Sequence, residues 1–187
     1  PKTIYLKDYQ PADFLINEVF LHFDLYEDKT QVTTVLHMRR TPQSLNNKAA
    51  LVLNGEAMAL QSVAIDGKVL PDSEYTVNET TLTVHEVPEQ FTLETVVLIK
   101  PHENKQLSGL YTSGGNFCTQ CEPHGFRRIT YFLDRPDVMS RFTTTITADQ
   151  SKYPYLLSNG NLVESKALKD GRHWLRWQDP SLKSCYL

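Results

Sequence analysis

The sequence predicts a mostly β protein: a sandwich or open sheet assembly of many short antiparallel strands, with one short helix near residues 135–141. Three observations predict it. Apolar residues recur at every second position through much of the chain, clusters of Gly, Asn and Asp interrupt those runs at short intervals, and only one segment carries helix-start chemistry.

The first alternating run places Val19, Leu21, Phe23 and Leu25 on one face, with Phe20, His22, Asp24 and Tyr26 between them. After Glu27-Asp28-Lys29 the pattern resumes at Val32, Thr34, Leu36 and Met38, so the two runs read as a hairpin. Ser62 to Leu70 reads as a second hairpin, because Asp66-Gly67 supplies the positive φ angles of a type I′ turn. Tyr75–Val77 and Leu82–Val84 flank Asn78-Glu79, and Phe91–Ile99 is rich in Thr and Val. Phe142–Ala148 is β-branched and poor for helix. Tyr153–Leu157, Leu162–Leu168 and His173–Trp177 complete the expected strands, separated by Ser158-Asn159-Gly160-Asn161 and Lys169-Asp170-Gly171. The helix is placed at Arg135–Arg141, with Asp134 as cap and Pro136 in the first turn.

Leu107 to Arg128 shows little alternation and holds Gly109, Gly114, Gly115, Gly125 and two cysteines, so it is expected to be a long functional loop. Ser184-Cys185-Tyr186-Leu187 reads as the first half of a strand, and the chain starts at Pro1 rather than Met. Both ends fit a piece of a longer polypeptide.

A chain of 187 residues suits one domain with a real core. Its net charge of −3, with Arg39-Arg40 and Arg127-Arg128 as mere pairs, offers no basic stripe and excludes nucleic acid as the expected partner. No stretch approaches the ~20 apolar residues of a membrane span, and Pro1-Lys2-Thr3-Ile4-Tyr5 lacks the apolar core of a secretory signal. Three cysteines are too few and too scattered for a disulfide framework, which points to a reducing, cytoplasmic setting.

Several constellations fall short of chemistry. Cys118 and Cys121 form a CxxC, yet a four-thiolate zinc site needs a second pair and only Cys185 remains. A redox reading lacks its βαβ setting, so packed thiols are expected. His102-Glu103 is followed by Gln106, and His85-Glu86 by Pro88 and Glu89, so neither forms the HExxH that sets two histidines on one helix face. No nucleophile elbow, P-loop or dinucleotide fingerprint occurs. No catalytic or metal residue is expected on this chain. Gln120 and Glu122 are different. In an extended segment residues two apart face the same way, and a carboxylate beside a carboxamide suits an ammonium group.

The order of several segments then carries a resemblance. Cys118-Thr119-Gln120-Cys121-Glu122, Gly125-Phe126-Arg127, Tyr131-Phe132-Leu133-Asp134-Arg135-Pro136-Asp137 and Arg141-Phe142-Thr143-Thr144 resemble the N-terminal domain of the bacterial aminopeptidase N family, M1-type gluzincins. Tyr153 to Asn161 and Gly171-Arg172-His173-Trp174 continue it downstream, and Leu51 to Glu56 and Val87 to Leu93 extend it upstream. Cys121 between Gln120 and Glu122, and Arg135 after Asp134, resemble the bacterial branch rather than mammalian ectoenzymes.

The resemblance implies a β-rich saddle or sandwich spanning residues 1–187 as a single N-terminal domain. It implies a zinc catalytic domain after residue 187 that carries HExxH, about a hundred residues on, as the same-chain partner. Zinc would then be the cofactor of the parent enzyme, bound outside this chain. It further implies that Glu122 holds the α-amine of peptide N-termini and that Gln120 lines the pocket for the first residue. Two other readings stay open: a carbohydrate- or protein-binding sandwich using Tyr111, Phe117 and Phe126 as a platform, and a small metal domain built on the cysteines.

Overall fold

The structure, a computed structural model, describes residues 5–42 and 49–187; Pro1–Ile4, part of the stretch read as lacking a secretory signal, lies outside them. Among the described residues the strands are β1 (Phe14–Leu25), β2 (Thr30–Arg40), β3 (Leu51–Asn54), β4 (Ala59–Ile65), β5 (Lys68–Val69), β6 (Tyr75–Val77), β7 (Thr81–Val84), β8 (Gln90–Ile99), β9 (Gly109–Ser113), β10 (Asn116–Gln120), β11 (Met139–Asp149), β12 (Asn161–Ala167) and β13 (Arg172–Ser184). The predicted β-rich class is what the chain adopts.

An eight-stranded sheet runs in the order β12-β13-β11-β1-β2-β8-β4-β5, joined by a three-stranded sheet β3-β7-β6 and the hairpin β9-β10. Both predicted hairpins are present. β1 pairs antiparallel with β2, and Asp66 (φ 50°) and Gly67 (φ 78°) turn β4 into β5. The alternation predicted for β1 has one phase shift. A bulge between Ile16 and Glu18 lets Phe14 and Ile16 share the buried face of Val19, Leu21, Phe23 and Leu25. Leu51, Leu53, Leu82 and Val84 of the small sheet enter the same core, so the two sheets face each other across one apolar layer. No described helix is long and apolar enough to cross a membrane.

Four expectations need correction. The strands are not all antiparallel: β1 and β11 run parallel, from Glu18↔Arg141 to Asp24↔Thr147. A two-residue period is the same in either orientation, so the sequence pattern carried no information on this. The helix expected near 135–141 is a single turn, Val138 N–H to Arg135 O at 3.2 Å. Its would-be cap, Asp134, is buried with its carboxylate on Arg127, and Met139 and Ser140 are drawn into β11 against Ser184 and Lys183. Tertiary pairing thus overrides a local start signal.

Tyr153–Leu157 forms no strand. Its carbonyls are taken by side chains of β13 instead: the His173 ring lies 2.8 Å from Tyr153 O, and Trp177 Nε1–H donates to Leu156 O at 3.0 Å. The expected long loop 107–128 contains the β9–β10 hairpin, closed by Gly114 (φ 56°) and Gly115 (φ 82°). That pair of positive φ angles is the type I′ signature, and Gly-Gly announced it in the sequence.

Candidate functional site

The site is assembled around a segment that crosses from the hairpin back into the core. Gln120 ends β10, Glu122 follows two residues later, and a single-turn 3-10 helix occupies Phe126–Arg128. Phe126 anchors that turn: it is buried and meets Phe132 edge-on at 4.9 Å between ring centres. The neighbouring Arg127 then reaches Asp134, whose side chain is only 1% exposed. Arg127 Nε–H donates to Asp134 Oδ2 at 2.8 Å, its backbone N–H to the same oxygen at 3.2 Å, and its guanidinium to Asp134 O at 3.3 Å.

A second layer fixes this frame to the small sheet. Asn54 exchanges both backbone hydrogen bonds with Phe132, at 2.8 and 3.0 Å. Glu56 N–H donates to Arg127 O at 2.8 Å, and the Glu56 carboxylate pairs with Arg128 at 2.9 Å. Between them Gly55 lies flat under the Tyr131 ring, where any Cβ would overlap it. Asn54-Gly55-Glu56 is therefore a backbone clamp, a role that spacing alone did not reveal.

Gln120 and Glu122 are both exposed, and both line one cleft of about 530 Å³ between the β9–β10 hairpin and the large sheet. Leu21, Phe23 and Ile146 form part of its apolar lining, and Tyr155, Leu157 and Leu187 stand around it with 84%, 75% and 60% exposure. The structure thus brings the two expected site residues into one cavity. The Gln120 amide donates to Glu122 O at 3.4 Å. Among the described residues the Glu122 carboxylate has no hydrogen-bond or ion-pair partner, whereas Asp134 and Glu56 of the frame are both paired with arginine.

The cysteines are free. Burial, aided by the Asp134 carboxylate, pushes the Cys121 thiol up to about 12. Burial and the same carboxylate raise Cys185 as well, and its thiol donates to Asp134 Oδ1 at 3.3 Å. Both behave as packed thiols. Among the described residues no group of three or more His, Cys, Asp or Glu side chains could hold a metal ion. The aromatic platform of the alternative reading is also missing. Phe126 is core, and Phe117 packs edge-on against Tyr153 at 5.2 Å.

A large sheet carrying a side hairpin, with a carboxamide and a free carboxylate at one cleft, is what the geometry provides. Comparison with known proteins specifies the family. Residues 8–187 match the model of the peptidase M1 N-terminal domain. Over its whole length the chain is 51% identical to aminopeptidase N of Caulobacter vibrioides and 49% identical to that of Escherichia coli, covering 21% of each. It superposes on aminopeptidase A of Legionella pneumophila, solved with aspartic acid, with a TM-score of 0.92 at 34% identity, over 97% of this chain and 21% of that one. An M1 zinc metallopeptidase of Deinococcus radiodurans shares the fold at a TM-score of 0.77 and 16% identity, over 93% of this chain and 41% of that one. The chain belongs to the peptidase M1 N-terminal domain family. It spans about a fifth of the length of the curated relatives it matches.

Two outcomes follow from this geometry. Arg127→Ala strands the Asp134 carboxylate in the core, and urea unfolding will show a loss of about 3–5 kcal/mol; an unchanged midpoint would contradict the pairing. In the native protein at pH 8 an alkylating reagent will modify Cys118 well before Cys121 and Cys185, whereas all three react together in urea. Equal native rates would show that the two raised thiols are not buried.

Proposed function

We propose that this chain is the amine-recognition domain of a longer zinc aminopeptidase, in which Glu122 binds the free α-ammonium of a peptide and Gln120 lines the pocket for its first residue. The observation that carries this reading is the unpartnered Glu122 carboxylate at the cleft, set on a frame whose other carboxylates are neutralised. An enzyme that removes terminal residues must measure from the chain end. A carboxylate held at a fixed place does so by pairing with –NH₃⁺. An acetylated or internal amide leaves that group desolvated and unpaired, which costs on the order of 1–3 kcal/mol or more.

No group of His, Cys, Asp and Glu among the described residues fits a metal ion. On this reading residues 1–187 form the amino-terminal domain, and the zinc chemistry belongs to another part of the same polypeptide, consistent with the 21% coverage of the aminopeptidase relatives. The exposed Tyr155, Leu157 and Leu187 around the cleft are where that part would pack. The three free cysteines support a reducing, cytoplasmic location.

In the full-length protein, Glu122→Ala is expected to lower kcat/KM on an alanyl anilide by about a hundredfold or more, and to erase the preference for free over acetylated amino termini. Near-normal activity would remove Glu122 from the role. The 187-residue chain alone is expected neither to cleave the anilide nor to take up zinc; one zinc per chain would restore the cysteine-site alternative.

A further inference from the structure

The half-buried side chain of Asn104 makes three hydrogen bonds, all to the backbone that leads into β9. Its amide donates to Ser108 O at 2.8 Å and to Leu110 O at 2.9 Å, and its oxygen accepts from Gln106 N–H at 3.1 Å. Leu110 lies within β9 and Ser108 immediately before it. Asn104 therefore holds the chain on both sides of the first residue of β9 and supplies hydrogen-bond partners for backbone groups there.

Between those two carbonyls sits Gly109, at φ 80°. Gly109 is the strand partner of Gln120. On its other side it is pressed against the site frame: a Cβ there would lie 2.7 Å from Arg128 Cβ and 3.1 Å from Gly125 O. Gly125 in turn leaves no room toward Gln120 O, 2.5 Å from its Cβ position, or toward Ser108 Oγ, 2.9 Å away. Ser108 through its hydroxyl, and Gly109, Gln120 and Gly125 through backbone atoms, thus interlock, and Asn104 is the side chain that holds the outer strand of this lock in register.

We infer that Asn104 is a positioning residue for the amine site: by gripping the carbonyls on both sides of Gly109 it fixes the end of β10 from which Gln120 and Glu122 are presented. The inference rests on the reading of Glu122 as the amine anchor. Asn104 touches neither side chain and acts only through the strand, so its loss will shift the anchor rather than remove it.

The test uses the full-length enzyme with Asn104→Ala, Asn104→Asp and Asn104→Ser, each alone and combined with Glu122→Ala. Asn104→Asp keeps the shape but sets acceptors against two carbonyls, while Asn104→Ser keeps one donor and serves as the milder change if the others fold poorly. Expected is a fall in kcat/KM of about tenfold or more for Asn104→Ala and Asn104→Asp, mainly through KM, with zinc content unchanged. Asn104→Ser is expected to fall between these and the wild type. In the Glu122→Ala background the same changes are expected to cost clearly less than in the wild type, since the larger part of their effect passes through Glu122 and only the placement of Gln120 is left to lose.

Wild-type kcat/KM in all three variants would overturn the proposal, as would an equal fold-loss with and without Glu122, which is the mark of a merely structural residue. Glu122→Ala with normal activity would overturn the anchor itself and the inference with it. A damaged Glu122→Ala beside intact Asn104 variants would overturn only the positioning role.

Discussion

The buried pair of Arg127 and Asp134 is the constraint on which the site depends. Asp134 is almost fully enclosed, and a lone carboxylate there would be strongly penalised. Arg127 answers it with side-chain and backbone donors together, so the chain at 127 and the chain at 134 can pass each other in only one way. Compared with an apolar replacement such a pair adds little net stability. Its effect here is geometric. With Arg127 fixed, Phe126 is seated in the core, Gly125 is set against Gln120 O, and the run from Gln120 to Glu122 has its place.

The same frame explains why one acid differs from its neighbours. Glu56 and Asp134 are spent on Arg128 and Arg127. Glu122, a few residues along the same chain, is left outside that network at the cleft. The division is between carboxylates that hold the fold and one that remains available to a cation. The large sheet provides the rigid floor behind it, through Leu21, Phe23 and Ile146, while the hairpin supplies the polar edge.

Much of the fold was legible because half-buried strands write their burial into a two-residue period. β1, β2, β8 and the Asp66-Gly67 turn are cases where local chemistry and tertiary burial agree. The failures share a cause. Asp134 carries the side chain of a helix cap, yet its partner is Arg127, seven residues away on a core-facing turn. Tyr153–Leu157 has the composition of a strand, but His173 and Trp177 claim its carbonyls. At the site, Gln120 and Glu122 were visible as a pair of residue types. Asn54-Gly55-Glu56 and Asn104 were not visible as parts of it, because most of their hydrogen bonds involve backbone groups, which no spacing rule encodes. Gly55 and Gly125 offered the one available hint, each being a residue chosen for close approach.

On the proposed reading this frame presents Glu122 to a free amine. The most direct measurement is a crystal structure of the full-length protein with a free amino acid bound. The ligand's ammonium is expected within about 3 Å of the Glu122 carboxylate, beside Gln120, with the Arg127–Asp134 pair intact. An ammonium held by other groups, with Glu122 turned to solvent, would contradict it.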